Sequence, residues 1–306
     1  MDNPPIVSVV LPTLGVDSYF EAAVRSITHS TFTDYELVVV GPESQRPALL
    51  SVLSEISSIS KFVYVSDQGN GLAQALNDAV SACRGKFIAR LDADDLMEEA
   101  RIERQVAFLD SHPEVSVVGS QVRYICSMGH EQGTSSYPTW RSAVSPFRFH
   151  MNPLAHPAVM FRKSDFDRAG GYNPLFSVCE DLELWIRLTG LGPVVNLNEP
   201  LTRYRIHGNQ ASILLAQKIR TFNVLAFIKN TSNSASNLAK VVSEFDYSST
   251  QSISEDLAKL LKDAGFDGPS SARKRAVAAL QLYRITDWRH ADKLESQRPV
   301  AMAVLD

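Results

Sequence analysis

The chain has 306 residues, of which 44% are hydrophobic and 21% charged, and its formal net charge is −4. This composition is ordinary for a globular protein with a sizeable core, and the length suits one large domain with an appendage. The slight negative charge argues against a dedicated nucleic-acid-binding protein, so we expect no nucleic-acid partner.

Cysteine usage and the apolar runs indicate the compartment. Cys83, Cys126 and Cys179 are widely spaced and form no C-x-x-C pair, which favours reduced intracellular thiols over zinc or redox chemistry. The segment "MDNPPIVSVVLPT" lacks the basic start and apolar stretch of a signal peptide. No apolar run approaches the roughly 18 residues of a spanning helix. The sequence therefore predicts a cytoplasmic protein.

The first 120 residues alternate between two apolar periods. Five short runs are typical of buried strands: Ile6–Leu11, Glu36–Val40, Lys61–Val65, Lys86–Leu91 and Val115–Gly119. Between them, apolar residues recur at helical spacing: Phe20, Val24 and Ile27; Leu72, Ala75, Leu76, Ala79 and Cys83; Ile102, Val106 and Leu109. This alternation predicts an α/β fold with a mostly parallel sheet and helices on both faces.

Three polar segments directly follow predicted strands. They are Pro12-Thr13, residues 67–70 and residues 92–95. In sheets of this kind, ligands bind beyond the carboxyl ends of the strands. We therefore expect these segments to lie along one edge of the sheet and to form a binding site.

The remainder of the chain has a different character. Residues 121–213 are rich in Pro, Gly and aromatic residues, which predicts loops with one helix at Glu180–Thr189 and short strands at Ala158–Phe161 and Leu201–Ile206. After residue 213, helical patterns alternate with polar, turn-prone segments, and basic residues outnumber acidic ones. This predicts a separate helical appendage.

Asp92, Asp94 and Asp95 crowd three carboxylates into four positions at the end of the fourth predicted strand. The helix macrodipole stabilises acids at a helix start, but this explains the two glutamates that follow better than the three aspartates. A calcium loop fails, because Leu96 and Met97 stand where that loop needs a ligand and a glycine. Magnesium-dependent phosphoryl transfer is chemically sensible, but the chain has no Gly-rich phosphate loop ending in Lys-Ser/Thr.

The fourth interpretation is a D-x-D site, in which a divalent cation bridges carboxylates and the diphosphate of a nucleotide. Mg²⁺ and Mn²⁺ favour oxygen ligands and often bind through one or two carboxylates plus substrate phosphates. Arg90 precedes Asp92 by two positions and so projects to the same side of the strand. We expect Arg90 to pair with that carboxylate or with the diphosphate.

Five segments resemble the family 2 glycosyltransferases, in the order found there: "VSVVLPT", "GLAQALNDAVSACRGKFIARLDADDLMEEARIERQ", "NPLAHPAVMFRKSDFDRAGGYNP", "EDLELWIRL" and "LTRYRIHGNQAS". Members of that family are inverting, nucleotide-sugar-dependent enzymes of the GT-A fold. The resemblance implies a GT-A domain over residues 1–213, with a nucleotide-binding part at about 1–120 and an acceptor-side part at about 121–213. A helical C-terminal region would then cover residues 214–306.

The resemblance places several residues on the nucleotide side. Pro12 and Thr13 would line the pocket through their backbone, Asn77 would lie beside the nucleotide, and Asp92 would contact the ribose. The competing interpretations are a strand-ending turn for Pro12-Thr13 and a solvated helix position for Asn77. Similar enzymes carry acidic residues after the second strand to hold the base, whereas this chain has "VVVGPES". UDP is therefore a default, and Asp67 is a candidate substitute.

The resemblance also suggests how the metal is held. Asp94 would bind Mn²⁺ or Mg²⁺, and Asp95 would share this task or the contact to the ribose. His207 matches a family position that ligates the metal or touches the diphosphate, with a structural histidine as the alternative. His156 also matches the family pattern, but its position favours a role in loop structure.

The acceptor side contains the expected base. Asp181, the second acid of the "ED" pair, matches the carboxylate that takes the proton of the acceptor hydroxyl. Glu180 would support it or bind the acceptor, with a helix cap as the alternative for this pair. Gly170 and Gly171 would let the backbone approach a sugar, unless they only form a turn. Trp185 could stack on a sugar, although its helical phase favours the core.

These observations predict a metal-dependent inverting glycosyltransferase that moves a sugar from a nucleotide donor to a hydroxyl of a surface polysaccharide or lipid-linked glycan. One alternative is a nucleotidyltransferase. Such an enzyme needs a Gly-rich, basic loop after the first strand, whereas this chain has "PTLGVDSY" there. Another is a non-catalytic nucleotide-sugar- or carbohydrate-binding protein. The C-terminal helices would contact the inner face of the plasma membrane or mediate homo-oligomerisation, unless they pack against the main domain.

Overall fold

The computed structural model describes residues 3–56, 62–139, 152–208 and 210–215, together with the single residues 219 and 226. The described residues up to Ile206, apart from Asn152, form one compact unit. Asn152 and the residues from His207 onward belong to a second unit. In that unit the structure describes the short helix α7 (Ala211–Leu214). The helices predicted for residues 214–306 otherwise lie outside the described residues.

The first unit alternates strands and helices along the chain. Its elements are β1 (Val7–Pro12), α1 (Ser18–Thr28), β2 (Tyr35–Pro42), α2 (Arg46–Glu55), β3 (Phe62–Asp67), α3 (Leu72–Ala82), β4 (Phe87–Arg90), β5 (Leu96–Met97), α4 (Arg101–Ser111), β6 (Val117–Cys126), β7 (Glu131–Thr134), β8 (Met160–Arg162), α5 (Lys163–Ala169), α6 (Glu180–Leu188) and β9 (Val194–Ile206). Within the part of the chain that is described, none of the helices has the length and apolar character needed to cross a membrane.

The strands form a nine-stranded sheet in the order β3-β2-β1-β4-β8-β6-β9-β5, with β7 paired to β6. The long ladders are parallel: β2 pairs with β1 and β3, β1 with β4, and β6 with β9. β8 runs antiparallel between β4 and β6. The mixed, mostly parallel sheet flanked by helices confirms the predicted α/β class.

Successive side chains of the sheet enter two different cores. Val9 and Leu11 of β1 pack with α1, α2 and α4, whereas Val10 packs with α3 and α6. A strand covered on both faces needs consecutive apolar side chains, which explains the unbroken apolar runs of β1 and β2. The predicted helix faces are buried, except that Leu72 is 40% exposed because it opens α3 directly after the turn at Gly71.

The structure extends the prediction after residue 120. The strand predicted to end at Gly119 continues to Cys126, and the strand predicted from Leu201 begins at Val194. These two strands pair with each other, so their backbone groups are satisfied by a partner that is distant in sequence. α5 was not predicted, because seven residues are too few for a clear helical period. The helix predicted at Glu180–Thr189 is present as α6.

Candidate functional site

The three predicted aspartates lie together at the carboxyl end of β4. The backbone N–H of Leu91 still bonds Val10 of β1 (3.1 Å), and the chain turns away directly afterwards. Oxygen atoms of Asp92, Asp94 and Asp95 all lie within 4.8 Å of one another. Asp92 and Asp94 are partly exposed, whereas Asp95 is buried. This is a compact set of hard oxygen donors with one side open to solvent.

Asp95 is the buried member of the three aspartates. Its Oδ1 accepts a hydrogen bond from the backbone N–H of Arg205 (2.7 Å), while its buried Oδ2 has no hydrogen-bond partner among the described residues. Burial raises the pKa of Asp95 well above its usual range, and the charges of Asp92 and Asp94 add to this effect. An unsatisfied buried oxygen beside two further carboxylates fits a divalent cation. Such a cation would bind this oxygen and would compensate the negative charges of Asp92, Asp94 and Asp95.

Arg205 was not predicted as a site residue. Its Nε donates to the carbonyl oxygen of Asp94 (2.7 Å), and its Nη1 donates to the carbonyls of Cys126 (3.2 Å) and Ser127 (3.0 Å). The guanidinium also lies 4.5 Å from the ring centroid of Tyr19. Arg205 therefore ties the aspartate loop to the end of β6 and to the start of α1.

Arg90 pairs with Asp92, as its position two residues earlier predicted. The two side chains form an ion pair, and Arg90 is buried. Burial would lower the pKa of Arg90, but the charge of Asp92 and its hydrogen bond outweigh burial and raise it. The Nε of Arg90 lacks a hydrogen-bond partner in the described part of the chain. One buried cation therefore compensates one of the three carboxylates.

Arg101 supports the site from within the core. Its guanidinium donates to the carbonyls of Arg90 (2.7 Å), Pro157 (2.6 Å) and Val159 (3.0 Å), and its Nε donates to Gln105 one turn later (3.1 Å). Burial lowers the pKa of Arg101 to about 9, and the charge of Arg90 adds to this effect. This residue fixes the end of β4 against the segment that leads into β8.

The predicted edge of the sheet is present. Thr13 follows β1 and donates its backbone N–H to Val40 of β2 (2.9 Å), and Pro42 at the end of β2 is in register with Asp67 of β3. Pro12, Thr13 and Asp67 therefore lie on the same edge as the aspartates after β4, in agreement with the expectation for parallel strands. Asp67 accepts a hydrogen bond from the N–H of Gly69 (2.9 Å), which closes a tight turn.

Glu180 and Asp181 open α6. Burial raises the pKa of Glu180 to about 8, the charge of Asp181 adds to this effect, and the charge of Arg90 opposes it. Asp181 is partly exposed, and its Oδ1 accepts the backbone N–H of Leu182 (2.7 Å). Arg90, which pairs with Asp92, therefore also acts electrostatically on Glu180.

The backbone before this pair is strained. Cys179, with φ of +60°, is the only non-glycine residue with positive φ in the described ranges. Its side chain is buried, and as the residue before α6 it makes no side-chain capping hydrogen bond to the helix. A side chain in the left-handed region costs roughly 1–2 kcal/mol. Such strain persists only where the surroundings hold it, and it is concentrated at functional sites.

The side-chain amide of Asn77 is hydrogen-bonded within the protein, and its predicted place beside the nucleotide stays a prediction. Its Nδ2 donates to the carbonyl of Tyr172 (2.8 Å), and its Oδ1 accepts the N–H of Tyr172 (2.8 Å). The amide is thus occupied by the backbone of the loop that follows α5. Gly170 and Gly171 form that loop with φ of +82° and +75°, so both glycines are needed for the turn itself.

Trp185 lies in the core with no exposed surface, and its ring contacts Phe161 (6.2 Å between centroids). No face of the indole is available for a sugar, so its helical phase was the better guide. His207 belongs to the second unit, and its backbone N–H bonds the side chain of Gln210 (3.3 Å). Metal ligation by His207 stays a prediction.

Two of the missed residues carried a signal in the sequence. Arg101 and Gln105 share a helical face with Ile102, Val106 and Leu109, so two long polar side chains interrupt a predicted buried face. A buried arginine needs several hydrogen-bond acceptors. An arginine on a predicted buried helix face therefore indicates a structural role in the core. Arg205 gave no such signal, since its partners lie far away in sequence.

Comparisons with known proteins identify relatives of this chain. Residues 8–169 match the family described as "Glycosyl transferase family 2". The O-antigen biosynthesis glycosyltransferase WbnJ of Escherichia coli is 29% identical over 233 residues, which cover 73% of this chain and 89% of WbnJ.

Two solved structures have a similar fold. TarS 1–349 of S. aureus, in complex with UDP-GlcNAc, has a TM-score of 0.60 at 14% identity, over 90% of this chain and 80% of that one. Against a longer TarS chain, the match spans only 54% of TarS. The mannosyltransferase PcManGT of Pyrobaculum calidifontis, in complex with GDP-Man and Mn²⁺, has a TM-score of 0.54 at 16% identity, over 98% of this chain and 81% of that one. At these identities, both similarities concern the fold alone.

Proposed function

The chain belongs to glycosyl transferase family 2 and is a glycosyltransferase, and we propose that it is a metal-dependent inverting enzyme that moves a sugar from a nucleotide-sugar donor to a hydroxyl acceptor. The observation that carries this proposal is the set of three carboxylates within 4.8 Å at the end of β4, with an unpaired oxygen on buried Asp95. The family membership argues against the alternative of a nucleotidyltransferase.

Asp94 and Asp95 would hold the cation, with His207 as a further proposed ligand. Carboxylate oxygens suit Mg²⁺ and Mn²⁺, and Mn²⁺ also accepts imidazole. Such a cation would supply charge neutralisation for the diphosphate that leaves. Arg205 would keep the loop in place, since its side chain bonds the backbone carbonyls of Asp94 and of Cys126 at the end of β6.

The donor would lie along the edge formed by β1, β3 and β4. Pro12 and Thr13 would contact the nucleotide through their backbone, Asp92 would contact the ribose, and Asp67 would approach the base. Arg90, whose Nε lacks a partner among the described residues, would contact the diphosphate. UDP is the proposed nucleotide, in keeping with the UDP-GlcNAc bound by TarS, although PcManGT was solved with GDP-Man.

Asp181 would act as the base. Inversion requires one carboxylate opposite the leaving diphosphate, where it takes the proton of the acceptor hydroxyl as its oxygen attacks C1 of the sugar. The transition state has oxocarbenium character. Burial and the charge of Asp181 raise the pKa of Glu180 to about 8, which favours the protonated form of Glu180 near neutral pH, directly beside the proposed base.

The acceptor would be a growing polysaccharide or a lipid-linked glycan, as the name of WbnJ suggests for a related protein. Glu180 and the turn at Gly170 and Gly171 would lie on the acceptor side. We propose that the protein acts in the cytoplasm at the inner face of the plasma membrane, with the C-terminal region available for membrane contact or self-association.

The test combines turnover with donor binding. The protein is incubated with UDP-, GDP- and TDP-sugars and Mn²⁺, and sugar release and calorimetric affinity are measured with and without EDTA. We expect Asp94→Ala to lose metal-dependent turnover and donor affinity, and Asp181→Asn to lose turnover while it keeps donor affinity. Glu99→Gln neutralises an exposed acid between β5 and α4 and serves as the control.

Two results would contradict the proposal. Donor affinity that is indifferent to both EDTA and Asp94→Ala would remove the metal site. Tight nucleotide binding without turnover on any acceptor would instead indicate a non-catalytic binding protein.

A further inference from the structure

A buried chain of three polar side chains leads to the start of α6. His156 lies in a short 3₁₀ turn (His156–Ala158) before β8, and its Nδ1 lies 3.6 Å from Oε1 of Glu180. Its Nε2 lies 2.9 Å from the hydroxyl of Tyr172. All three side chains are almost completely buried. One imidazole therefore joins the first residue of α6 to the loop after α5.

The imidazole is held on its other sides as well. Arg101 binds the carbonyls of Pro157 and Val159, the residues that follow His156 in the turn. The ring of Trp185 meets the imidazole edge-on, with centroids 5.8 Å apart. The backbone around His156 is therefore fixed by Arg101, and the imidazole itself packs against Trp185.

The far end of the chain is also fixed. Both backbone groups of Tyr172 bond the amide of Asn77 on α3 (2.8 Å each). The carbonyl of Gly171 accepts from Arg187 of α6 (2.7 Å), and Arg187 is itself paired with the fully buried Glu183. The two residues Gly171 and Tyr172 thus connect α3 with α6.

The start of α6 needs such a support. Cys179, the residue before the helix, adopts a strained left-handed conformation and does not cap the helix with its side chain. Glu180 joins this first turn to His156 in the 3₁₀ turn before β8, and Asp181 is the next residue. A shift of about 1 Å in a catalytic group can cost about a hundredfold in rate.

We propose that His156 is a positioning residue for the transfer reaction, which holds Glu180 through Nδ1 and Tyr172 through Nε2 and thereby fixes the orientation of Asp181. This inference rests on the proposed function, in which Asp181 is the base. It assigns to His156 a role beyond the loop structure that the sequence indicated.

The charge states support this arrangement. Burial lowers the pKa of His156 well below its usual range, and the charge of Arg90 adds to this effect. The groups that act on Glu180 are Asp181 on its own helix, Arg90 on β4 and Asp92 beyond it, and its pKa is raised. His156 and Glu180 are therefore both neutral near pH 7, so their contact leaves no unpaired charge in the core.

The experiment measures metal-dependent hydrolysis of the preferred nucleotide sugar, donor affinity by calorimetry, and thermal unfolding. Tyr172→Phe removes only the hydroxyl that meets Nε2, and Tyr35→Phe is the matched control, because its hydroxyl bonds Ile27 at the opposite end of the sheet (3.2 Å). We expect Tyr172→Phe and His156→Ala to lower kcat about tenfold to a hundredfold with donor affinity unchanged. His156→Asn keeps a polar atom near the position of Nδ1, and we expect it to restore part of kcat.

A merely structural role would give another pattern. If Tyr172→Phe and His156→Asn changed thermal stability but left kcat equal to that of Tyr35→Phe, the inference would be wrong while the proposed function stood. If the wild-type protein showed donor binding and no turnover, the proposed function and this inference would both fail. If donor affinity fell together with kcat, the chain would serve the donor site, which also overturns the inference.

Discussion

The carboxylate of Asp95 accepts a hydrogen bond of 2.7 Å from the backbone N–H of Arg205, a residue 110 positions further along the chain. The same arginine reaches back to the carbonyl of Asp94 (2.7 Å). The loop that carries the proposed metal ligands is therefore built from two distant segments, and its geometry depends on β9 as much as on β4.

Arg205→Lys tests this dependence. A lysine keeps the charge but cannot reach the carbonyls of Asp94, Cys126 and Ser127 together. We expect the free energy of unfolding to fall by about 1–3 kcal/mol, since buried carbonyls lose their donors. Urea denaturation measures the change. Arg203→Lys is the control on the same strand, where an exposed pair with Glu98 contributes little. Equal stability of the two variants would refute a structural role for Arg205.

Gly171→Ala tests the close approach of α3 to the loop after α5. A Cβ at this position would lie 2.7 Å from Oδ1 of Asn77, and φ is +75°. Gly129 also has positive φ, at +87°, but a Cβ there meets nothing within 4 Å. We expect Gly129→Ala to cost about 1 kcal/mol of unfolding free energy for the conformation alone. Gly171→Ala should cost clearly more in chemical denaturation, and equal costs would contradict the contact.

Asn77→Ala separates the observed role of this residue from the one implied by the family resemblance. The substitution leaves the backbone N–H and C=O of Tyr172 without partners, so we expect a loss of about 2–3 kcal/mol of unfolding free energy. Donor affinity, measured by calorimetry at a temperature where the variant is folded, should stay within twofold of wild type. Gln74→Ala on the same helix, which removes only a bond to Asp78, is the control. A selective loss of donor affinity would instead place Asn77 in the nucleotide pocket.

Cys179 offers a direct measure of strain next to the proposed base. Cys179→Gly and Cys179→Ala both remove the thiol, but only glycine accepts φ of +60° without penalty. We expect the glycine variant to be more stable than the alanine variant by about 1 kcal/mol. Thermal and urea denaturation compare the two. If alanine were equally stable, Cys179 would not be strained in solution.

Glu180 predicts a particular dependence of stability on pH. Its pKa is about 8 in the folded protein, against an ordinary value of 4.5. Because the folded protein holds this proton more tightly than the unfolded chain, the contribution of Glu180 to stability is complete below pH 4.5 and is lost as the pH rises to about 8. We expect a loss on the order of 1 kcal/mol per pH unit in that window relative to Glu180→Gln, which cannot titrate. Unfolding free energies of both proteins at several pH values give the difference.

The control for this series is Glu99→Gln, an exposed glutamate whose replacement should leave the wild-type pH dependence intact. Parallel curves for the wild-type protein and Glu180→Gln would show that Glu180 is ionised in the folded state. The raised pKa of Glu180 would then be wrong.

Local pattern was a reliable guide wherever a contact follows from spacing along the chain. The unbroken apolar run of β1 predicted a strand covered on both faces, and the helical period predicted that Trp185 is core. The position of Arg90 two residues before Asp92 predicted their pairing, since alternate residues of a strand share a side. Spacing did not predict that the amide of Asn77 bonds the backbone of Tyr172, 95 residues away.

The sequence by itself predicted that Asp92, Asp94 and Asp95 lie at the end of a strand, because the apolar run directly before them is a local pattern. It also predicted a mostly parallel sheet, because strand and helix patterns alternate along the chain. The folded chain alone revealed that Arg205 supports that loop, that His156 links Tyr172 to Glu180, and that Cys179 is strained. These features join segments from 16 to 110 residues apart, or depend on a backbone angle. Such contacts arise from the packing of whole elements and leave no periodic trace in the order of the amino acids.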